Sequence, residues 1–190
     1  ARWFLKKLND IGEFNVYGIG SLVPMTKGSK RYMITAEKAV RIIHFLRQEL
    51  PDKKIHAFGV GAPRLMHLIF YAGANWVDSM SWFITAVKGY IEVLFEDGVT
   101  KIKRLREMNR VEVLALDSCQ CPICLYHGIE DLDRETDFRI VHNAWVRQKL
   151  VERARELIEE GCYEAYVDHV LKGTTFYNAF KMLKKLKERA

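Results

Sequence analysis

The chain has 190 residues, 49% hydrophobic and 28% charged, with 30 Lys and Arg against 24 Asp and Glu. This composition excludes a disordered chain and suffices for a self-stabilising core, and no apolar run approaches the roughly 18 residues of a membrane-spanning helix. The net charge of +6 permits a polyanionic partner without demanding one.

Ala1-Arg2-Trp3-Phe4-Leu5-Lys6-Lys7 is too short and too soon charged for a secretory signal, so a cytoplasmic protein with no membrane partner is expected. Phe14 to Gly20 reads as a strand running into glycines. Thr35, a possible cap, opens a helix to Leu50, with Ala39, Ile42, Ile43, Phe45 and Leu46 at helical spacing and Pro51 as its stop. A second strand, Lys54 to Phe58, enters Gly59-Val60-Gly61. Pro63 begins a helix to about Ala72, closed by Gly73, and Asn75 to Ser79 reads as a third strand. Strands and helices alternating over short turns predict parallel α/β structure. Two or three such units are too few for a closed eight-stranded barrel of about 250 residues, so they predict part of a larger sheet or barrel. Tyr90 to Phe95 and Val99 to Ile102 flank Glu96-Asp97-Gly98 as a hairpin. Helices are expected from Asp137 to about Glu160 and from Phe176 to Arg189.

Cys119, Cys121 and Cys124 place three thiolates within six residues, close enough for one loop to wrap one ion. Soft sulfur donors at this spacing suit zinc and imply a reducing compartment. The fourth ligand is either His127, three residues further on, or the more distant His142. A closed four-ligand site leaves no position for substrate, so the metal is expected to be structural. Cys162 reads instead as a buried helix residue. Positive charge gathers in Lys101, Lys103, Arg104, Arg106 and Arg110, and again in Lys181, Lys184, Lys185, Lys187 and Arg189. A phosphate backbone lying along the second cluster would engage Lys184, Lys185 and Lys187.

Three segments in order resemble the tRNA-guanine transglycosylases, most closely the archaeal type. They are Gly18-Ile19-Gly20-Ser21-Leu22-Val23-Pro24; Phe58-Gly59-Val60-Gly61-Ala62-Pro63 with Gly73-Ala74-Asn75-Trp76-Val77-Asp78-Ser79; and Cys119 to Cys124 with His142-Asn143 and Ile158 to Gly161. The resemblance implies an α/β fold that is the C-terminal half of a (β/α)8 TIM-type barrel, with a zinc-binding subdomain and closing helices. The division it suggests is residues 1–112, barrel and hairpin insert, and 113–190, zinc subdomain. It implies replacement of guanine by a 7-deazaguanine in tRNA, or in DNA, with Asp78 attacking the ribose C1′ as nucleophile. Gly20, Ser21, Leu22, Phe58 and Gly59 would meet the base. Ser21 stands where the family has a second glycine, and Phe58 where bacterial members have a methionine. The resemblance favours His142 over His127 as the fourth zinc ligand, with Cys119, Cys121 and Cys124; the 17 intervening residues after Cys124 are fewer than the family usually has. Residues 1–13 match neither the family's second aspartate nor its other base-stacking aromatic. The active site would thus need an N-terminal half or partner subunit, and a dimer is expected. The alternatives are a non-catalytic, zinc-stabilised partner of such an enzyme and an unrelated small-molecule enzyme.

Overall fold

The computed structural model describes residues 2–20, 22 and 29–189, with 29–35 described by backbone alone. Its internal contacts divide the chain into two units, residues 1–79 with 167–190, and residues 80–166.

The first unit begins with α1 (Arg2–Ile11), then alternates β1 (Val16–Ile19), α2 (Ser29–Glu49), β2 (Lys54–Ala57), α3 (Pro63–Tyr71) and β3 (Trp76–Val77). The strands form one parallel sheet in the order β1-β2-β3, with Gly18 beside His56 and His56 beside Trp76. The expected alternation is therefore present, although among the described residues no barrel closes. β3 is shorter than the sequence predicts, and at both its ends side chains add to the backbone pairing. The Asn75 Oδ1 accepts from the Ile55 N–H at 2.9 Å, and the Asp78 Oδ1 accepts from the Gly59 N–H at 2.9 Å. α2 begins six residues before Thr35, since nothing in Ser29-Lys30-Arg31-Tyr32-Met33-Ile34 breaks a helix. It packs on β2, on α3 and on α10 (Tyr177–Lys187). Val40, Ile43, Ile55, Leu68, Ile69 and Leu183 are wholly buried, each contributing about 1.5–3 kcal/mol.

The second unit contains α4 (Ser81–Val87), an antiparallel hairpin of β4 (Ile91–Leu94) and β5 (Thr100–Lys103), α5 (Arg110–Asp117), α6 (Pro122–Tyr126), α7 (Gly128–Arg134) and α8 (Thr136–Glu159). α9 (Tyr163–Leu171) runs across the boundary between the two units. The sequence groups the hairpin with the strands before it, whereas it packs on α4, α5 and α8 of the second unit. Ile91, Leu116, Ile123 and Leu132 form this unit's core, with Phe138 and Trp145 against it. Among the described residues no helix is long and apolar enough to cross a membrane.

α5 starts in a reciprocal cap, in which the Glu112 N–H donates to Asn109 Oδ1 and the Asn109 N–H donates to a Glu112 carboxylate oxygen. The same buried carboxylate accepts from Lys103 Nζ at 2.8 Å and Lys101 Nζ at 2.9 Å. These donors, Lys103 first, then Lys101 and the Asn109 backbone, hold the Glu112 carboxyl down to about 2. A carboxyl lowered in the folded state adds stability above its ordinary value of 4.5, and that stability is lost as pH falls toward about 2. Glu112→Gln, which keeps an acceptor for Asn109, should therefore be less stable than the parent at pH 6. The gap should close progressively below pH 4.5 in urea titrations; a constant gap would refute the assignment.

Candidate functional site

Parallel pairing brings three loops to one edge of the sheet, beyond the C-terminal ends of the strands. Gly20 follows β1, Phe58 and Gly59 follow β2, and Asp78 follows β3. The ladder continues briefly at this edge, with the Phe58 N–H donating to Ile19 O and the Gly61 N–H to Asp78 O, both at 3.0 Å. The Asp78 carboxylate is half exposed and held at both oxygens: Gly59 N–H on Oδ1, and His56 Nε2 2.9 Å from Oδ2. His56 is steadied by Phe58, its ring centroid 4.4 Å away, and by the edge of Trp76 at 6.2 Å. Phe58 keeps 43% of its surface exposed, which leaves a ring available for stacking.

Two glycines make this crowding possible. A methyl group on Gly18 would stand 2.7 Å from the Phe58 ring, and one on Gly61 would stand 3.0 Å from both the Asp78 carbonyl oxygen and the Ser79 Cβ. Of the expected base-contacting residues, Phe58 and Gly59 lie against Asp78's surroundings, Gly20 follows β1 at the same edge, and Leu22 is buried. Ser21 lies outside the described residues.

The second cluster forms where α5, α6 and α8 converge. Cys119 follows α5, Cys121 caps α6, Cys124 sits in its first turn, and His142 lies early in α8. His142 Nδ1 is 3.8, 3.3 and 3.4 Å from the sulfurs of Cys119, Cys121 and Cys124, and all four donor atoms lie within 4.8 Å of one another. Three sulfurs and one imidazole nitrogen at this separation fit a tetrahedral zinc ion. Hydrogen bonding among the three sulfurs pulls the Cys121 thiol below its usual range and pushes the Cys124 thiol above it, so that without a metal the cluster shares its protons, which an ion would have to displace. Burial opposes a charge on His142, yet the sulfurs of Cys119 and Cys121 and the Glu92 carbonyl raise it to about 10, so a metal would have to displace that proton. His127 is not in the cluster; it joins α6 to α7 and packs on Phe138 at 4.3 Å. Cys162, expected to be buried, is exposed in the turn between α8 and α9.

The sequence profile described as "Queuine tRNA-ribosyltransferase" matches residues 2–175. The chain belongs to that family. It is 25% identical over 162 residues to the tRNA-guanine(15) transglycosylase of Methanococcus aeolicus, covering 82% of this chain and 23% of the relative. It is 26% identical over 181 residues to that of Thermococcus kodakarensis (92% and 29%) and 27% identical over 188 to that of Pyrococcus abyssi (96% and 30%). The chain thus spans less than a third of the length of these relatives.

Two features of this family member escape a reading of the residues one by one. His56 is one: the alternation of buried Ile55 and Ala57 puts it on the same strand face as Phe58, but only the β2-β3 register carries it to Asp78. Glu92 is the other. Its backbone carbonyl lies 2.9 Å from His142 Nε2, leaving Nδ1 for the sulfurs, and its N–H donates to Asn143 Oδ1 at 2.9 Å. Its wholly buried carboxylate accepts from Arg147 Nε at 2.5 Å and Nη2 at 2.6 Å. Removing one partner of such a pair strands a buried charge. Arg147→Met should cost about 3–5 kcal/mol in chemical denaturation, and Glu92→Gln with Arg147→Met should recover part of it. A loss below about 1 kcal/mol in the single variant would contradict this account.

Proposed function

We propose that this chain supplies the nucleophile, part of the base pocket and the zinc site of a base-exchange transglycosylase that replaces guanine in tRNA by a 7-deazaguanine. What carries the reading is the Asp78 carboxylate, half exposed at the sheet edge and held by Gly59 and His56, in a chain of the queuine tRNA-ribosyltransferase family. The similarity to tRNA-guanine(15) transglycosylases supports the substrate class. The three parallel strands would be part of a (β/α)8 barrel, whose remainder comes from outside this chain and carries the second, acid/base aspartate.

An Asp78 oxygen attacks the ribose C1′; the C1′–N9 bond breaks and its electron pair leaves on guanine, which takes a proton from an acid outside this chain. The nucleic acid is then held as an aspartyl ester. N9 of the incoming base gives its proton to the conjugate base of the acid that protonated guanine and bonds to C1′ as the C1′–Oδ bond breaks, releasing the carboxylate. As in retaining glycosyl transfer, two successive displacements at C1′ restore its configuration, with one carboxylate as nucleophile. His56 and the Gly59 N–H fix the carboxylate plane, so that attack needs no search among rotamers. Phe58 offers a face for the base, and the backbone at Gly20, Ser21 and Leu22 its edge.

Cys119, Cys121, Cys124 and His142 would hold one zinc ion. Zinc there supplies a closed, redox-inert crosslink with no open position. Elemental analysis should find about one zinc per chain. Cys121→Ser and His142→Ala should lose it along with stability in residues 80–166, while His127→Ala should retain it. A folded parent chain that binds no zinc would falsify the metal assignment.

In the complete enzyme with tRNA, Asp78→Asn should abolish a denaturant-stable protein–RNA adduct while binding persists, because the near-isosteric change removes only the attacking oxygen's charge. His56→Ala should lower kcat by roughly ten- to hundredfold with a smaller change in KM, the effect of a displaced but intact nucleophile. An adduct of normal yield from Asp78→Asn removes Asp78 from the mechanism. No adduct from the complete parent enzyme favours a non-catalytic partner subunit.

A further inference from the structure

We infer that the groove between α2 and α10 is a docking track for a phosphodiester backbone. It encloses about 390 Å³ and carries four cations, Arg41 from α2 and Lys181, Lys185 and Arg189 from α10 and the residues just beyond it. Met182 and Leu186 supply apolar surface between the cations, Asn178 extends the line by one turn, and none of the lining residues is acidic.

Lys181 and Lys185, four residues apart, stand on one face of α10 about 6 Å apart along the axis, and Arg189 follows two residues past the helix end. A row of like charges at that interval answers a repeating anion, on the scale at which phosphates follow one another along a strand, better than it answers a single point charge. The row is also held in place. Arg41 Nε lies 3.1 Å from Met182 Sδ, and Lys181 Nζ sits 5.1 Å from the Tyr177 ring centroid.

The groove also revises the expectation that Lys184, Lys185 and Lys187 act together. Of these, only Lys185 lines it; Lys187 donates to Tyr71 O at 3.0 Å and lies 3.9 Å from the Tyr71 ring centroid, tying α10 to α3. The inference depends on the transglycosylase reading only for its choice of nucleic acid as partner, not for its geometry.

The test uses the 190-residue chain and two variants, each lowering the net charge from +6 to +2. One is Arg41→Gln with Lys181→Gln, Lys185→Gln and Arg189→Gln; the other changes the exposed Arg106, Arg110, Arg134 and Arg155 to Gln. Fluorescence anisotropy with a short RNA hairpin and a DNA hairpin of the same sequence, across a series of KCl concentrations, gives affinity and salt slope, with circular dichroism confirming the fold of each variant. The groove variant should lose roughly tenfold or more in affinity and about 3 units of log–log salt slope, and the second variant much less. The loss should be uniform across hairpin sequences, because phosphate contacts position rather than specify. A preference for RNA over DNA, or its absence, tells which nucleic acid the track accepts. Equal losses in the two variants, an unchanged slope in the groove variant, or a parent chain that binds phosphatidylglycerol vesicles but neither hairpin would overturn the inference. Groove-dependent binding without an Asp78 adduct in the complete enzyme would sink the transferase reading alone, and an adduct with an unchanged slope would sink the groove alone.

Discussion

A carboxylate with no exposed surface needs a charged partner, and residues 80–166 bury two: Glu112 is met by Lys101 and Lys103, and Glu92, met by Arg147, ties down far more of the fold. Glu92 is held through its side chain by Arg147, through its N–H by Asn143 and through its carbonyl by His142. All three come from one stretch of α8, so a single β-strand residue fixes the rotation of a 24-residue helix. Asn143 adds bonds to the carbonyls of Trp82 and Tyr90, and Arg139 donates to the Ala86 carbonyl at the end of α4. The imidazole presented to the three sulfurs is therefore aimed from behind by the hairpin, before any metal contributes. Replacing the buried pair by apolar residues would ease its desolvation, but the helix would lose what defines its register.

The sheet edge in the other unit rests on a different economy. Its chemistry-bearing side chain is exposed, and what holds it is local: one backbone N–H, one imidazole, and two glycines whose missing side chains let Phe58 and the β3 terminus approach. Nothing there needs a buried charge. The opposite end of the sheet is tied by Arg47, which donates to the carbonyls of Gly73, Leu50, Pro51 and Lys53 and to Asn75 Oδ1. One guanidinium thus closes the turns that lead into β2 and β3.

Much of this was legible where a signal is local. The strand and helix alternation through Val77, the hairpin, α3, α8 and α10 follow from periodicity and punctuation, and the cysteine spacing named its own chemistry. Other elements were hidden by their composition. Ser81-Trp82-Phe83-Ile84-Thr85-Ala86-Val87 is rich in aromatic and β-branched residues yet is helical, because α4 packs along α8. α1, α7 and α9 likewise give no distinct signal of start and stop. α5 does carry a readable one, Asn109 three residues before Glu112. The choice between His127 and His142 was open to spacing alone and fell to family resemblance, because which histidine reaches the sulfurs is a matter of tertiary contact. His56 shows the same limit: strand register, unlike strand identity, is not written in a window of residues.

β4 belongs to a two-stranded ribbon, and on its side away from β5 such a strand would ordinarily offer unpaired N–H and C=O groups to any extended segment that drifts near. Here residue 92 spends both on α8, and the carbonyl of Tyr90 goes to Asn143 as well. α8 serves in effect as a third strand built from side chains. The residues that orient the metal ligand therefore also blunt an aggregation-prone edge, so a change at Asn143 would expose the protein to intermolecular strand pairing as well as loosening the cluster.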